Sequence, residues 1–282
     1  MNYIDLLKKT AEKSKSIICM GIDPVLEKIP LEEKDIEKKL VKFYSGILEA
    51  ITSEKIGLGA VKPNYAFYAQ YGFPGLRALK EIISIYKKAG FLIILDAKRG
   101  DIGKTSDAYA KEVFDFWEAD AVTVAPYMGN DSFGPFTKYC EKGKGVYLLV
   151  RTSNPGAVDL QDIKTEHGNP FYMETAELLV KYYKEGVSAV VGATYPSELA
   201  EISEFFVKNR KQVPFLIPGV GKQGGTIKEV IDALIKTKNP LWLHRINSSS
   251  GINFAWEKEQ NPEDFAGAAV REIQKLNKEI SY

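Results

Sequence analysis

Asp96, Lys98 and Asp101 lie close together in the run Asp96-Ala97-Lys98-Arg99-Gly100-Asp101-Ile102, which follows the apolar stretch 91–95. Side chains alternate faces along a strand, so Asp96 and Lys98 are expected to point the same way, with Ala97 pointing away. Gly100 permits a turn that brings Asp101 back toward them. An ammonium held among carboxylates is costly inside a core. At the end of a strand it makes better sense as a proton-handling site. With Lys62 added, alternating cations and anions hold one another charged, which suits a general acid or an electrostatic stabiliser and does not suit a Schiff-base nucleophile. The competing interpretation is a solvated salt-bridge cluster.

A second candidate is Pro218-Gly219-Val220-Gly221-Lys222-Gln223-Gly224-Gly225, followed by Thr226 and a helical pattern. Glycines let backbone N–H groups approach an anion, and a helix N-terminus favours one. The spacing is neither a Walker nor a Rossmann fingerprint. A third is Thr152-Ser153-Asn154-Pro155-Gly156-Ala157, either a plain turn or a set of hydroxyls and amides able to read the edge of a planar ligand. His167 and His244 lie far apart without a helpful carboxylate and are expected to be structural or at the surface. The aromatic run Tyr65-Ala66-Phe67-Tyr68-Ala69-Gln70-Tyr71 is expected to pack or to meet a second subunit.

These residues need elements to hold them. Short β-rich runs at 17–22, 58–61, 91–95, 121–125, 145–150, 187–191, 215–217 and 241–246 alternate with helical periodicity at 35–51, 75–89, 106–117, 132–139, 171–184, 197–208, 226–237 and 262–276. Regular alternation implies parallel strands with helical crossovers. About eight such units predict an α/β chain forming a single-domain (β/α)8 TIM barrel over residues 1–282, with an N-terminal helix at about 2–14 capping it. The candidate residues gather at predicted strand ends: Asp23, Lys62 with Pro63 and Asn64, Asp96, Ser153, Pro218 and Ser250. In a barrel that rim carries the active site, and phosphate commonly binds after strands seven and eight.

The 282 residues are 45% hydrophobic with a formal net charge of +1. That charge argues against nucleic acid as a partner. No apolar run approaches the roughly 20 residues of a membrane span, and the first residues lack a signal-peptide core. Cys19 and Cys140 are too few for a disulfide framework and lack metal-ligand spacing; Cys19 is expected to be inert core. The expectation is a cytoplasmic protein with no membrane partner.

Asp96-Ala97-Lys98-Arg99-Gly100-Asp101-Ile102-Gly103-Lys104-Thr105 is similar to the signature of the orotidine 5′-phosphate decarboxylase family, Asp-x-Lys-x-x-Asp-Ile-x-x-Thr. The resemblance extends along nearly the whole chain. The segments at 21–24, 62–72, 152–157, 190–196 and 217–225 resemble the longer, type 2 branch. The resemblance implies decarboxylation of orotidine 5′-monophosphate to uridine 5′-monophosphate without a cofactor or metal. It implies that Lys98 protonates C6, that Asp96 lies against the substrate carboxylate, and that Lys62 joins the charge network to a ribose hydroxyl. Asp23 would bind the ribose and Ser153 the pyrimidine edge. Gln223, Gly224 and Gly225 would bind phosphate, with Pro218 opening their loop. Asn64, Ile102 and Ser250 would also contact substrate. Asp101 and Thr105 would come from the partner subunit of a homodimer.

One position departs from the family. Ser250 stands where an arginine is expected near the end of strand eight. A guanidinium grips phosphate bidentately, and losing such a contact costs about 1.5–3 kcal/mol. Lys222 and Arg245 are the candidate replacements. Two alternatives remain open. One is a keto-sugar phosphate decarboxylase or aldolase-like relative using magnesium. The other is a nucleotide-binding relative that has lost turnover.

Overall fold

Eight parallel strands form one sheet in the computed structural model, which describes residues 1–221 and 223–280. They are β1 (Ile18–Ile22), β2 (Ala60–Pro63), β3 (Ile94–Arg99), β4 (Ala121–Val124), β5 (Gly145–Arg151), β6 (Val187–Val191), β7 (Phe215–Ile217) and β8 (Arg245–Ser248). The hydrogen-bonded order runs β2-β1-β8-β7-β6-β5-β4-β3. Parallel bridges between Val61 and Ile93 and between Asn64 and Asp96 join the two outer strands, nearly closing the barrel. The architecture is the expected single-domain (β/α)8 barrel.

A helix follows each strand: α2 (Ile36–Ser53), α3 (Gly72–Lys88), α4 (Gly103–Lys111), α5 (Asn130–Thr137), α6 (Phe171–Lys181), α7 (Pro196–Lys208), α8 (Ile227–Lys236) and α9 (Phe265–Ile280), all preceded by α1 (Tyr3–Ser14). Their inner faces bury residues at helical spacing, as in α2, where Leu40, Phe43, Tyr44, Ile47, Leu48 and Ile51 turn toward the sheet. Asp35 and Thr226 cap α2 and α8 by accepting from the amides of Lys38 and Glu229.

Two apolar cores result. The larger fills the space between strands and helices. The smaller lies inside the lower barrel, where Cys19, Ala60, Ile94, Ala121, Tyr147 and Leu216 meet Tyr3, Ile4 and Leu7 of α1. Helix α1 therefore lies against the barrel floor. Cys19 is fully buried there, and desolvation pushes its thiol up to about 12, so it is an inert packing group. Its neighbour Arg245 is also fully buried and donates to the carbonyls of Leu7, Gly59, Trp242 and His244 and to Thr10 Oγ1. That guanidinium pins α1 at the floor. Its guanidinium is thus committed to the floor and does not replace the expected arginine.

Several strands lie further along the chain than the apolar runs predict. β2 includes Lys62, β3 includes Asp96 and Lys98, and β8 begins only at Arg245, after a 3-10 turn at Leu241–Leu243. The predicted single helix at 106–117 is instead α4 followed by a π-helical turn, Glu112–Phe116.

Candidate active site

The upper rim begins with Lys62, whose side chain points inward from β2. Its Nζ donates to Asp96 Oδ2 at 2.7 Å, while Lys98 Nζ donates to Asp96 Oδ1, also at 2.7 Å. Lys62 and Asp96 are buried, at 3% and 8% exposed, whereas the Lys98 side chain is half exposed. Burial alone would neutralise both buried groups. It pushes the Asp96 carboxyl up, but the two ammoniums outweigh it and hold that carboxyl well below the usual range. Burial likewise pushes Lys62 down, and the Asp96 and Asp23 carboxylates outweigh it and raise it above an ordinary lysine. The result is a fixed carboxylate between two cations, one sealed in and one facing the mouth.

Lys98 reaches Asp96 by a different route from simple alternation. β3 leaves register with β4 between Leu95 and Arg99, and Lys98 adopts φ +43°. A non-glycine residue in this left-handed region is uncommon and strained. Arg99, next in the chain, is clamped. Its guanidinium makes a bidentate pair with Glu112 and stacks against Tyr65 and Tyr109 at 4.4 and 4.7 Å. Glu112 opens the π-helical turn and also accepts from Trp117 Nε1.

Asp101 does not return to Lys98 within this chain. Its Oδ1 accepts from the amide of Ile102, which is exposed just before α4, and Thr105 is exposed in the first turn of that helix. Gly100 does not take the left-handed conformation that the expected turn requires; Lys98 and Gly103 do.

Asp23 closes the other side of the cluster. Its Oδ2 accepts a 2.6 Å hydrogen bond from Ser249 Oγ, and Oδ1 is shielded from water and takes no bond from the described chain. Desolvation pushes this carboxyl up, and Lys62 partly offsets it. Asn64 follows β2 and spends its amide oxygen capping the turn Tyr65–Ala69.

Ser153, Thr194, Gly219 and Gln223 converge from three loops. Thr194 Oγ1 donates to the Ser153 carbonyl at 3.1 Å. A Cβ on Gly219 (φ +98°) would sit 2.9 Å from Ser153 Cβ and 3.1 Å from Gln223 Oε1, so only glycine lets these groups meet. The Pro218 carbonyl accepts from the Ala193 amide, tying this loop to the one after β6. The loop glycines act differently from the sequence expectation. The amides of Gly221, Gly224 and Gly225 donate to the carbonyls of Gly225, Gly221 and Gly219, so they shape the loop and are not free for an anion. Lys222 lies outside the described residues. Ser250 is half-buried and begins a single turn, Ser250–Asn253.

Sequence reasoning missed Thr123 and Ser249, which touch Asp96 and Asp23 through their hydroxyls. A lone threonine in an apolar strand and one serine in a serine run carry no sequence signal. His244 is fully buried, accepting from the Phe215 amide, and His167 is at the surface, both as expected. No group of three or more metal-ligating side chains occurs among the described residues.

Comparison with known proteins extends this picture. The profile described as "Orotidine 5'-phosphate decarboxylase / HUMPS family" matches residues 44–239. The orotidine 5′-phosphate decarboxylase of Dechloromonas aromatica is 41% identical over 273 residues, covering 95% of this chain and 94% of the relative. That of Herpetosiphon aurantiacus is 40% identical over 233 residues, covering 82% and 84%. The solved OMP decarboxylase of Leishmania donovani superposes with a TM-score of 0.76 at 32% identity, covering 99% of this chain and 100% of that one. The longer UMP synthase of the same organism gives 0.77 at 34% identity, covering 98% of this chain and 56% of that one.

Proposed function

The chain belongs to the orotidine 5′-phosphate decarboxylase / HUMPS family, and on that basis we propose that it decarboxylates orotidine 5′-monophosphate to uridine 5′-monophosphate in pyrimidine biosynthesis. The observation that carries this reading is Asp96 held between Lys62 and Lys98 at the barrel mouth.

Heterolysis of the bond between C6 and its carboxylate releases carbon dioxide and leaves the electron pair on C6. No ring position delocalises that pair as an enolate would. The Lys98 ammonium stabilises the developing charge and then gives up its proton to C6, and water later restores that proton. Asp96 fixes the ammonium and faces the departing carboxylate. Lys62 holds Asp96 charged and reaches the ribose with Asp23. Ser153 reads the pyrimidine edge. Gln223 contributes its side chain to the phosphate, with Gly224, Gly225 and Pro218 giving its loop the required shape. Asn64, Ile102 and Ser250 complete the lining. Phosphate binding then lets remote binding energy order the loops over the reacting end.

Asp101 and Thr105 serve the partner subunit of a homodimer. Support comes from the exposure of Thr105 and of Ile102, the latter 52% exposed, with Asp101 half-buried beside it, and from the absence of any Asp101–Lys98 bond within the described chain.

The donor set favours this chemistry over a magnesium-held enediolate. Asp96 Oδ1 already accepts from Lys98 and Thr123, and Oδ2 accepts from Lys62. A carboxylate so occupied by cations is a poor metal ligand. Mixing EDTA-treated protein with orotidine 5′-monophosphate tests the proposal. Its ultraviolet absorbance band should disappear at a rate unaffected by added magnesium. A stable band, or a rate that returns only with magnesium, would overturn it.

A further inference from the structure

Thr123 faces the one interruption in the β3–β4 ladder. Leu95 pairs with Val122 and Arg99 pairs with Val124, so Asp96, Ala97 and Lys98 together oppose Thr123 alone. Such a bulge leaves backbone groups without ladder partners, and a buried amide without a partner is costly. Here the Thr123 side chain supplies one. Its Oγ1 accepts the Lys98 amide at 3.0 Å and donates to Asp96 Oδ1 at 2.8 Å, and Thr123 is 1% exposed.

The direction of both bonds is forced. A backbone N–H can only donate, so the hydroxyl must accept there and turn its single proton to the carboxylate. Lys98 Nζ donates to the same carboxylate oxygen. The Lys98 amide, the Thr123 hydroxyl, Asp96 Oδ1 and the Lys98 ammonium thus form a closed circuit, spanning the φ +43° backbone.

We propose that Thr123 is a positioning residue for the decarboxylation, pinning the β3 bulge so that the Lys98 ammonium stands at a fixed place over Asp96. This rests on the proposed role of Lys98. Thr123 does not face substrate; it acts through the two residues that do. A small displacement of a reacting group costs up to about a hundredfold in rate while ground-state binding persists.

Thr123→Val removes the hydroxyl and keeps the shape. It should lower kcat by about ten- to a hundredfold, leave affinity for uridine 5′-monophosphate within about threefold, and speed hydrogen exchange at the Lys98 amide selectively. Thr123→Ser keeps the hydroxyl and should recover most of kcat. Should the valine variant not fold, Thr123→Ala carries the same expectation. Wild-type kcat in a folded variant lacking the hydroxyl, or unchanged exchange at the Lys98 amide, would overturn the inference; so would equal impairment of the serine and valine variants. A wild-type protein that leaves orotidine 5′-monophosphate intact instead refutes the reading of the site, and the exchange experiment still decides whether Thr123 pins the bulge.

Discussion

Ser249 Oγ donates a 2.6 Å hydrogen bond to Asp23 Oδ2, joining the segment after β8 to the end of β1. The approach is close enough that a Cβ on Gly21 would lie 2.6 Å from Ser249 Cβ. Asn253 Nδ2 completes the joint by donating to the Gly21 carbonyl. The first and last strands of the barrel are thus sewn together where the sugar is proposed to bind.

Removing that hydroxyl releases one constraint on Asp23. Hydrogen bonds to charged groups are worth about 1.5–3 kcal/mol. Ser249→Ala should therefore raise KM by roughly tenfold or more and change kcat less, as steady-state kinetics would show. An unaltered KM would mean that Asp23 needs no help from Ser249.

The proposed sharing of the site between subunits makes a complementation experiment decisive. Lys98→Ala and Asp101→Ala should each abolish turnover, and Lys98→Ala should still bind uridine 5′-monophosphate. Mixed and allowed to exchange subunits, the two variants should regain part of the activity through hybrids with one intact site. Silent hybrids, shown to have formed by mass spectrometry, would place Asp101 outside the partner's site.

Ser250→Arg restores the guanidinium expected at that position. Arg245 cannot serve there because it is committed to the barrel floor. The substitution should lower KM by about one order of magnitude through a charge-assisted phosphate contact. A KM that stays level or rises would show that another group already meets the phosphate.

His244 gives the fold an acid limit. Burial pushes its imidazole from 6.5 down to about 3, with Arg245 adding to the effect, and its Nδ1 accepts from the Phe215 amide. Well above pH 6.5 the ring is neutral in folded and unfolded chains alike, so its contribution is constant. Below that pH the unfolded state binds a proton that the folded state refuses, and stability falls by about 1.4 kcal/mol per pH unit. Denaturant titrations between pH 7 and 5 should show the slope steepening toward that value at the acid end. His244→Asn, which keeps an acceptor for Phe215, should flatten it.

The barrel was legible because alternation of apolar runs with helical periodicity survives in the sequence from β1 to α9. The strand limits were less legible, and for one reason. In a barrel the lower half of each strand faces an apolar interior, while the upper half turns into the polar mouth. Lys62, Asp96, Lys98, Asn247 and Ser248 therefore sit within strands although an apolar-run criterion assigns them to loops. The Lys62–Asp96–Lys98 cluster was visible because ionisable residues at strand ends are conspicuous. Its fastening was not. The bulge at Lys98, the Thr123 hydroxyl and the π-helical turn holding Glu112 against Arg99 arise from register and packing between segments, which no local spacing encodes. The glycine-rich loop misled in detail because glycine signals conformational freedom without saying where the amides will point.

Helix α1 covers the floor of the barrel, and its outer face carries Lys8, Lys9 and Lys13, all exposed, on the side away from the mouth. Amine-directed coupling steered to this helix would orient the molecule on a bead or sensor surface with its reacting end toward the solution. The floor thus offers a handle for immobilisation that leaves diffusion into the mouth unobstructed.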